Sequence, residues 1–554
     1  MTRALSFICR MFFTAAFATI AAFMFHEREN TVQSTVSRSF RAVRRAAPAL
    51  AALTLLAAAP AQAAWQAAPT YQGSTDAFIN ALARQSTGQL VIGGAFDTAS
   101  GQPRTRLARL NADGTLDTAF TAQINAGASV YRLLVQSDDS IFVGGGFTAL
   151  NGVPRASLGR LLADGTLDTA FAPPATLSGG GVAAMAVQAD GKLLIGGDFV
   201  TVDGNPTHAR LARLNVDGSF DSTFPDLQIN GMVRNITLDG SDILIAGEFT
   251  QVDGTTRNRI ARLNSAGALD NSFNPDANAT VYTAILETGS GGILTGGSFA
   301  NIGGATKSRL ALLNVSSGAD TPTFTLGVTT GSSVNRLVAL GGGNVLAAGS
   351  FTSFGGEPIT GLARFNTGGA GVVDTTLNVA FTPALGVGLY DVVEQADHSL
   401  VVIGNFTTAG GGTHPHIERL VNLPGAPAVA SATPGPAQIA LAIAAPADVG
   451  AGVTGYTATC TPVGGGGAVQ ASGASPLTVT AVPGTAYDCT ATAQSSHGPG
   501  PASAQAGPVT PLAAPPGGGG ATAAIPTLSE WALMLLALAC AALGARRLRQ
   551  ANRY

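Results

Sequence analysis

GKLLIGGDFVTVDGNPTHARLARLNVDGSFDSTF, residues 191–224, carries the pattern that repeats through most of this chain. It joins an apolar run ending in two glycines, an alternating segment RLARLN, an Asp-Gly turn and a short D-x-x-F element. Variants recur seven times between about residue 79 and residue 423. The Phe that closes each glycine-rich run stands at Phe96, Phe147, Phe199, Phe249, Phe299, Phe351 and Phe406, at spacings of 51, 52, 50, 50, 52 and 55. So regular a period predicts one supersecondary module per unit, each stacked on its neighbours.

Within a unit the pattern predicts three strands and one short element. The first resembles VAAMAVQ (182–188). The second is the run written KLLIGG (192–197), VIGG (91–94), FVGG (142–145) and LTGG (294–297). An unbroken apolar run implies burial on both faces, and paired glycines imply close approach of another backbone, as expected of a strand near a crowded axis. The third, RLARLN (210–215), alternates as a half-buried strand does. Asp113-Gly114, Asp164-Gly165 and Asp217-Gly218 then turn the chain into the D-x-x-F segments at 117–120, 168–171, 221–224 and 270–273.

Four short strands per period of about 50 residues point to propeller blades. Asp76-Ala77-Phe78 precedes the first unit, whereas the seventh stops at HIERLVNLPG (416–425) without such an element. An N-terminal strand is therefore expected to complete the last blade and remove both exposed edges. An open solenoid would need caps, and none is evident.

The motif DGKLLIGGDF…RLARLNVDGSFDSTF resembles the delta-60 repeat of bacterial exported proteins, which implies a β-propeller over roughly residues 76–423 and no settled activity. Units five and six are degenerate: Leu312 replaces the recurrent Arg, and GLARFNTGGAGVVDTTLNVAF (361–381) lengthens the last turn.

Composition limits the function. The chain has 554 residues, 71 of them Gly, only 11% charged residues and a net charge of −3, which fits a turn-rich all-β protein and leaves no basic footprint for nucleic acid. Its four cysteines are Cys9, Cys460, Cys489 and Cys540. The repeat region has none, so a thiol nucleophile or cysteine-held metal is excluded there. Cys9 and Cys540 lie in apolar terminal segments, so Cys460 and Cys489 are expected to form a disulfide, the alternative being two buried thiols.

Candidate chemistry within the repeats is weak. NADGTLD, LADGTLD and NVDGSFD place oxygens at alternate positions around a glycine, as calcium loops do, but lack the further carboxylates and the bidentate Glu. Turn chemistry is the better reading, and no metal site is assigned. Arg109, Arg160, Arg213, Arg262, Arg364 and Arg419 recur at one place and are expected to be architectural, paired with an Asp such as Asp117 or Asp221. His208, His398, His414 and His416 are scattered, and only the His-Pro-His of 414–416 could share a metal. The GGG tracts at 179–181, 341–343 and 410–412 lack the Lys-Ser/Thr of a phosphate loop. No catalytic residue and no cofactor is assigned.

The termini read as addresses. Apolar stretches occupy residues 11–25 and 46–64, the second preceded by Arg41, Arg44 and Arg45 and carrying Ala61-Gln62-Ala63. That is the layout of a secretory signal cleaved at Ala63 or Ala64, so residues 1–63 are expected to be a signal or leader region. From Pro424 the order PAQIALAIAAPAD, TGYTATC, VPGTAYDCTATAQ resembles a fibronectin type III domain over 424–514. Tyr487 stands two residues before Cys489, as in a sandwich tyrosine corner, and Ile443 replaces the family's Trp. A Gly/Pro linker (515–524) leads to residues 525–554. There Ile525-Pro526-Thr527-Leu528, Glu530-Trp531, a charge-free run over 531–545 and then Arg546, Arg547 and Arg549 closely resemble the IPTL-CTERM sorting signal of Gram-negative bacteria. The resemblance implies recognition by an exosortase-like membrane transpeptidase, and the run is expected to insert as a transmembrane helix with its basic end cytoplasmic.

The sequence thus predicts an all-β chain: a seven-bladed β-propeller (64–423), a fibronectin type III-like β-sandwich and a C-terminal transmembrane helix. It predicts an exported, envelope- or surface-associated, non-catalytic protein, retained or released, whose propeller face binds a surface ligand, with polysaccharide among the candidates. A secreted propeller enzyme acting on polysaccharide is the alternative.

Overall fold

The computed structural model describes residues 65–513, apart from 207, 288, 329–331, 383–387 and 447–451. The chain divides into two units, 1–62 and Ala63–Tyr554, and every described residue lies in the second. The expected signal, its cleavage point at Ala63 and Ala64, the linker and the sorting tail with its helix lie outside the described residues. Among the described residues all regular structure is β, and no helix is long and apolar enough to cross a membrane.

Seven antiparallel sheets follow one another along residues 79–422, each opening with the first predicted strand: Ile79–Arg84, Val130–Val135, Val182–Val187, Val233–Asp239, Val281–Glu287, Val334–Gly341 and Gly388–Glu394. Each of these first strands packs against that of the next sheet, and the seventh packs against the first. Closure is made by Trp65–Ala67, which pairs with Ile417–Asn422 in the register Trp65↔Asn422 and Ala67↔Leu420. Asp76-Ala77-Phe78 is therefore not the closing strand. The Asp76 carboxylate instead accepts hydrogen bonds from the backbone N–H groups of Asp97 and Thr98, a capping role filled by Asn125, Asn230 and Asn278 in other units.

The glycine-rich strand also sits one place further out than its composition implies: it is the second strand of each sheet, and the first strand faces the axis. Its continuous burial has another cause. Leu193–Gly197 is buried at every position because its two faces pack against the preceding and following sheets. A Cβ on Gly197 would collide with the Gly181 carbonyl oxygen, and one on Gly196 would stand 2.7 Å from Val233 Cγ1 of the next sheet.

The D-x-x-F element is not a fourth strand in most units. It is reduced to a single bridge at Leu110↔Leu116, Leu161↔Leu167, Leu214↔Phe220 and Leu263↔Leu269, and becomes a strand only at Val372–Asp374. The recurrent Arg holds it instead. Arg109 bonds the Asp117 carboxylate at 2.7 Å and lies 4.7 Å over the Phe120 ring; Arg213 does the same to Asp221 and Phe224, and Arg262 to Asp270 and Phe273. Each such Arg also donates to a carbonyl in the next unit's turn: Arg109 to Ala163, Arg213 to Ser265, Arg262 to Ser316. Arg419 donates to Ala112, so this chain of contacts too runs from the seventh unit into the first.

These ion pairs set the acid limit of the fold. Burial pushes the Asp270 carboxyl up, but hydrogen bonds from Ser272 and Arg262 outweigh it and bring it down to about 2. Asp117, Asp221 and Asp374 are lowered in the same way. A carboxyl lowered in the folded state contributes stability above its unfolded value, near 3.9, and loses it as pH falls through the folded value. Glu418 is raised, chiefly by burial, and opposes this, the one carboxyl among the described residues to do so. The midpoint of urea unfolding is therefore expected to hold from pH 7 to 5 and to fall between about pH 4 and 2; a midpoint that rises in that window contradicts the ion-pair account.

Residues 428–509 form two further sheets, of three strands (Ala428–Gly435, Gln438–Ala444, Leu477–Thr480) and five (Gly455–Pro462, Val469–Gly473, Tyr487–Ser495, Gly498–Ala502, Ala506–Val509). Between them lies a core of Ile439, Leu441, Ala458, Val479, Tyr487 and Ala491. Cys460 and Cys489 face each other on adjacent strands and are joined as a disulfide. The Tyr487 hydroxyl accepts a hydrogen bond from Val482 N at 3.1 Å, five residues upstream.

Candidate functional site

Every first strand carries a β-bulge just after its opening residue, between Ile79/Ala81, Val130/Arg132, Val182/Ala184, Val233/Asn235, Val281/Thr283, Val334/Arg336 and Leu389/Asp391. The extra residue of a bulge is free of the ladder and its side chain is re-aimed. The seven extra residues are Asn80, Tyr131, Ala183, Arg234, Tyr282, Asn335 and Tyr390, and all seven line one cavity of about 510 Å³. The backbone device is the same in every unit, whereas the side chains differ. That is how a symmetric array builds an asymmetric site.

The cavity is aromatic and cationic. Tyr131 is 42% exposed, with its ring laid against Gly146 and Gly181, where a Cβ would meet it at 2.8 Å. Arg234 stands 5.4 Å over the Tyr282 ring and bonds Glu248 Oε1 at 2.7 Å. Tyr390 makes an edge contact with Phe78, which is also 42% exposed, and burial raises its phenol, keeping it a neutral donor. Asparagines tie neighbouring sheets together beneath these rings: Asn80 donates to Ser129 and Val130, Asn335 to the Leu389 carbonyl, and Asn235 accepts from Ala284 N.

The charge is unequally matched. Asp391 is the one carboxylate among the lining residues, and Arg336 Nε holds it at 2.9 Å. Arg132 reaches it only at 4.0 Å and makes no hydrogen bond among the described residues. The Arg336 charge, with burial, brings the Arg132 guanidinium down to about 10 against the pull of Asp391. It stays protonated at neutral pH.

Residues singled out from sequence lie elsewhere. The recurrent arginines brace the units, as described. The Asp113, Asp164 and Asp217 carboxylates each accept the backbone N–H and hydroxyl of the residue two further on (Thr115, Thr166, Ser219), which is turn chemistry. His414 bonds Glu418 at 3.0 Å, His416 packs against Phe78, His398 bonds Glu394 and His208 meets the Phe224 carbonyl. Among the described residues no cluster of three His, Cys, Asp or Glu could hold a metal. The melting temperature is therefore expected to be unchanged by a chelator; a fall would restore the calcium reading. None of the GGG tracts is among the lining residues, although Gly181 of 179–181 lies against the Tyr131 ring.

Sequence reasoning missed the cavity because it sought residues outside the repeat pattern. The signal sits inside the pattern: 15 to 17 residues before each unit's Phe, one position reads Asn, Tyr, Ala, Arg, Tyr, Asn, Tyr while the residue before it stays Ile, Val or Leu.

Fold and cavity together define an all-β chain of propeller repeats with one asymmetric cavity. Five segments, 85–120, 136–171, 188–224, 241–273 and 343–376, match the family described as a domain of unknown function (DUF5122) β-propeller, and residues 523–550 match the IPTL-CTERM motif. The unmatched units are the fifth, where Leu312 replaces the Arg, and the seventh, where D-x-x-F is absent. Propeller repeats with a sorting motif point to an exported surface protein. No curated protein matches the sequence. Among solved structures the chain is similar to the extracellular domain of a candidate one component system from B. thetaiotaomicron, with 14% identity over 70% of this chain and TM-score 0.39. It spans 45% of that chain. It is also similar to YCF48 from Cyanidioschyzon merolae, with 12% identity over 63% of this chain and 98% of that one, TM-score 0.33.

Proposed function

We propose that this protein is a non-catalytic glycan-binding propeller displayed at the cell surface of a Gram-negative bacterium. In this reading the delta-60-like repeats form seven blades, and the sheets of 428–509 are a fibronectin type III-like spacer. Residues 1–63 direct export. The tail, through Ile525 to Leu528, its apolar helix and Arg546–Arg547, is recognised by an exosortase-like membrane transpeptidase that anchors or releases the protein.

The single observation that carries the binding role is the set of seven bulges aiming different side chains into one cavity. Tyrosine faces pack on the C–H faces of sugar rings, amide and guanidinium groups hydrogen-bond hydroxyls, and 510 Å³ falls within the roughly 300–1,000 Å³ of small-ligand sites. The competing reading, a polysaccharide-cleaving enzyme, needs two carboxylates flanking the bond. The cavity offers Asp391, already held by Arg336.

The test is a binding screen of the full chain against neutral and acidic oligosaccharides, with product analysis of every hit. Tyr131→Ala with Tyr282→Ala should weaken any hit by about tenfold or more, with the substrate recovered intact. Binding indifferent to both changes would remove the cavity from the account, and shortened product would restore the enzyme.

A further inference from the structure

We propose that the cavity selects an acidic polysaccharide, seating the carboxylate of a uronate residue between Arg132 and Arg336 while a neighbouring tyrosine covers the sugar ring. The inference rests on the glycan-binding reading above and adds the ligand's charge and chemical class.

The argument starts from the charge count. Arg132, Arg234 and Arg336 converge on the cavity, whereas Asp391 and Glu248 are the carboxylates that pair with them. Three cations against two anions leave one positive charge. A single carboxylate balances it, whereas a doubly charged phosphate monoester would overshoot.

The donors are also placed for it. Arg336 engages Asp391 through Nε, and neither of its terminal nitrogens makes a hydrogen bond among the described residues. Arg132 makes none at all and has 26% of its side chain exposed. A guanidinium presents its donors as a planar fork that a carboxylate meets with two parallel bonds. Asp391 offsets one of the two guanidinium charges of Arg132 and Arg336, and an entering carboxylate offsets the other and relieves the repulsion that remains between them.

The aromatic residues decide between a sugar and an acidic peptide. Tyr131, Tyr282 and Tyr390 come from the second, fifth and seventh sheets and so surround the arginines instead of forming one strip. The seven strands ring this basin as sheet edges, but each carries a bulge, a device that blunts an edge against pairing with a second backbone. A ring carrying its carboxylate as a substituent fits such a basin; an extended peptide does not.

The test uses the full chain and a panel of oligosaccharides of galacturonate, glucuronate, mannuronate and guluronate. Each is set beside its methyl ester, which keeps the ring and removes the charge, and beside sulfated neutral chains. At least one uronate oligosaccharide should bind about tenfold or more tightly than its own ester, with affinity falling as salt rises. Arg132→Gln should erase that preference by weakening the acid far more than the ester, at an unchanged melting temperature, since the Arg132 side chain makes no hydrogen bond among the described residues. Tyr131→Ala should weaken acid and ester alike. Equal binding of acid and ester, or a preference that survives Arg132→Gln, overturns the uronate assignment and leaves glycan binding standing. Preference for the sulfated chains replaces the carboxylate and likewise overturns it. If no member binds in any form, the uronate assignment falls, and the neutral oligosaccharides of the wider screen decide the glycan-binding reading.

Discussion

Arg213→Met should cost the propeller about 3 kcal/mol, the lower end of the range for removing one partner of a buried ion pair. Arg213 is 7% exposed and its partner Asp221 4%, so the change leaves a carboxylate buried beside Met. Three other contacts disappear with it: the stacking on Phe224 at 4.7 Å, the hydrogen bond to Ser265 of the next unit at 2.7 Å and the contact with Thr223. Lys192 Nζ, 2.9 Å from Asp221, keeps part of that charge covered, which holds the loss near the lower bound. Because the Ser265 bond joins two units, the effect should reach the neighbouring sheet and appear as a lowered urea midpoint of the whole array. A loss below about 1 kcal/mol would mean that the recurrent Arg is a surface pair of little consequence.

Replacing both Cys460 and Cys489 by Ala should lower the unfolding free energy of the sandwich by roughly 3–4 kcal/mol, the chain-entropy value for a loop of this size. The two residues are 29 apart in sequence and both are fully buried. Adding a reductant to the native chain should reproduce the shift. The propeller transition should stay where it is, because the bridge closes a loop wholly within residues 460–489. A sandwich transition unmoved by the double substitution would show that strand pairing alone, Cys460 opposite Cys489, already fixes this region.

The repeat period, the turn residues and the Arg-Asp pairing were legible because each is written several times over, and each reflects a local rule. Asp113 caps its own turn, and Arg109 reaches Asp117 only eight residues away. Two assignments depended on distance in the chain and were not legible. The closing strand is Trp65–Ala67, whose partner lies some 350 residues later, so nothing local marks it out from Asp76-Ala77-Phe78. The order of strands within a sheet was also hidden, since burial between two sheets and burial at an axis leave the same apolar run. The cavity was hidden for a different reason. A bulge does not interrupt the hydrophobic pattern, and a position that varies among repeats looks like tolerance until the structure shows all seven variants facing one space.

The most direct test of the account is to fill that space. Ala183 is the smallest of the seven bulge residues and half-buried at the cavity wall, so Ala183→Trp adds an indole to the basin without touching a hydrogen bond of the fold. Measured by calorimetric titration with whichever oligosaccharide the native chain binds, the variant should show no binding at an unchanged melting temperature. Binding that persists at native affinity in a folded Ala183→Trp chain would contradict the central claim and place the ligand elsewhere on the molecule.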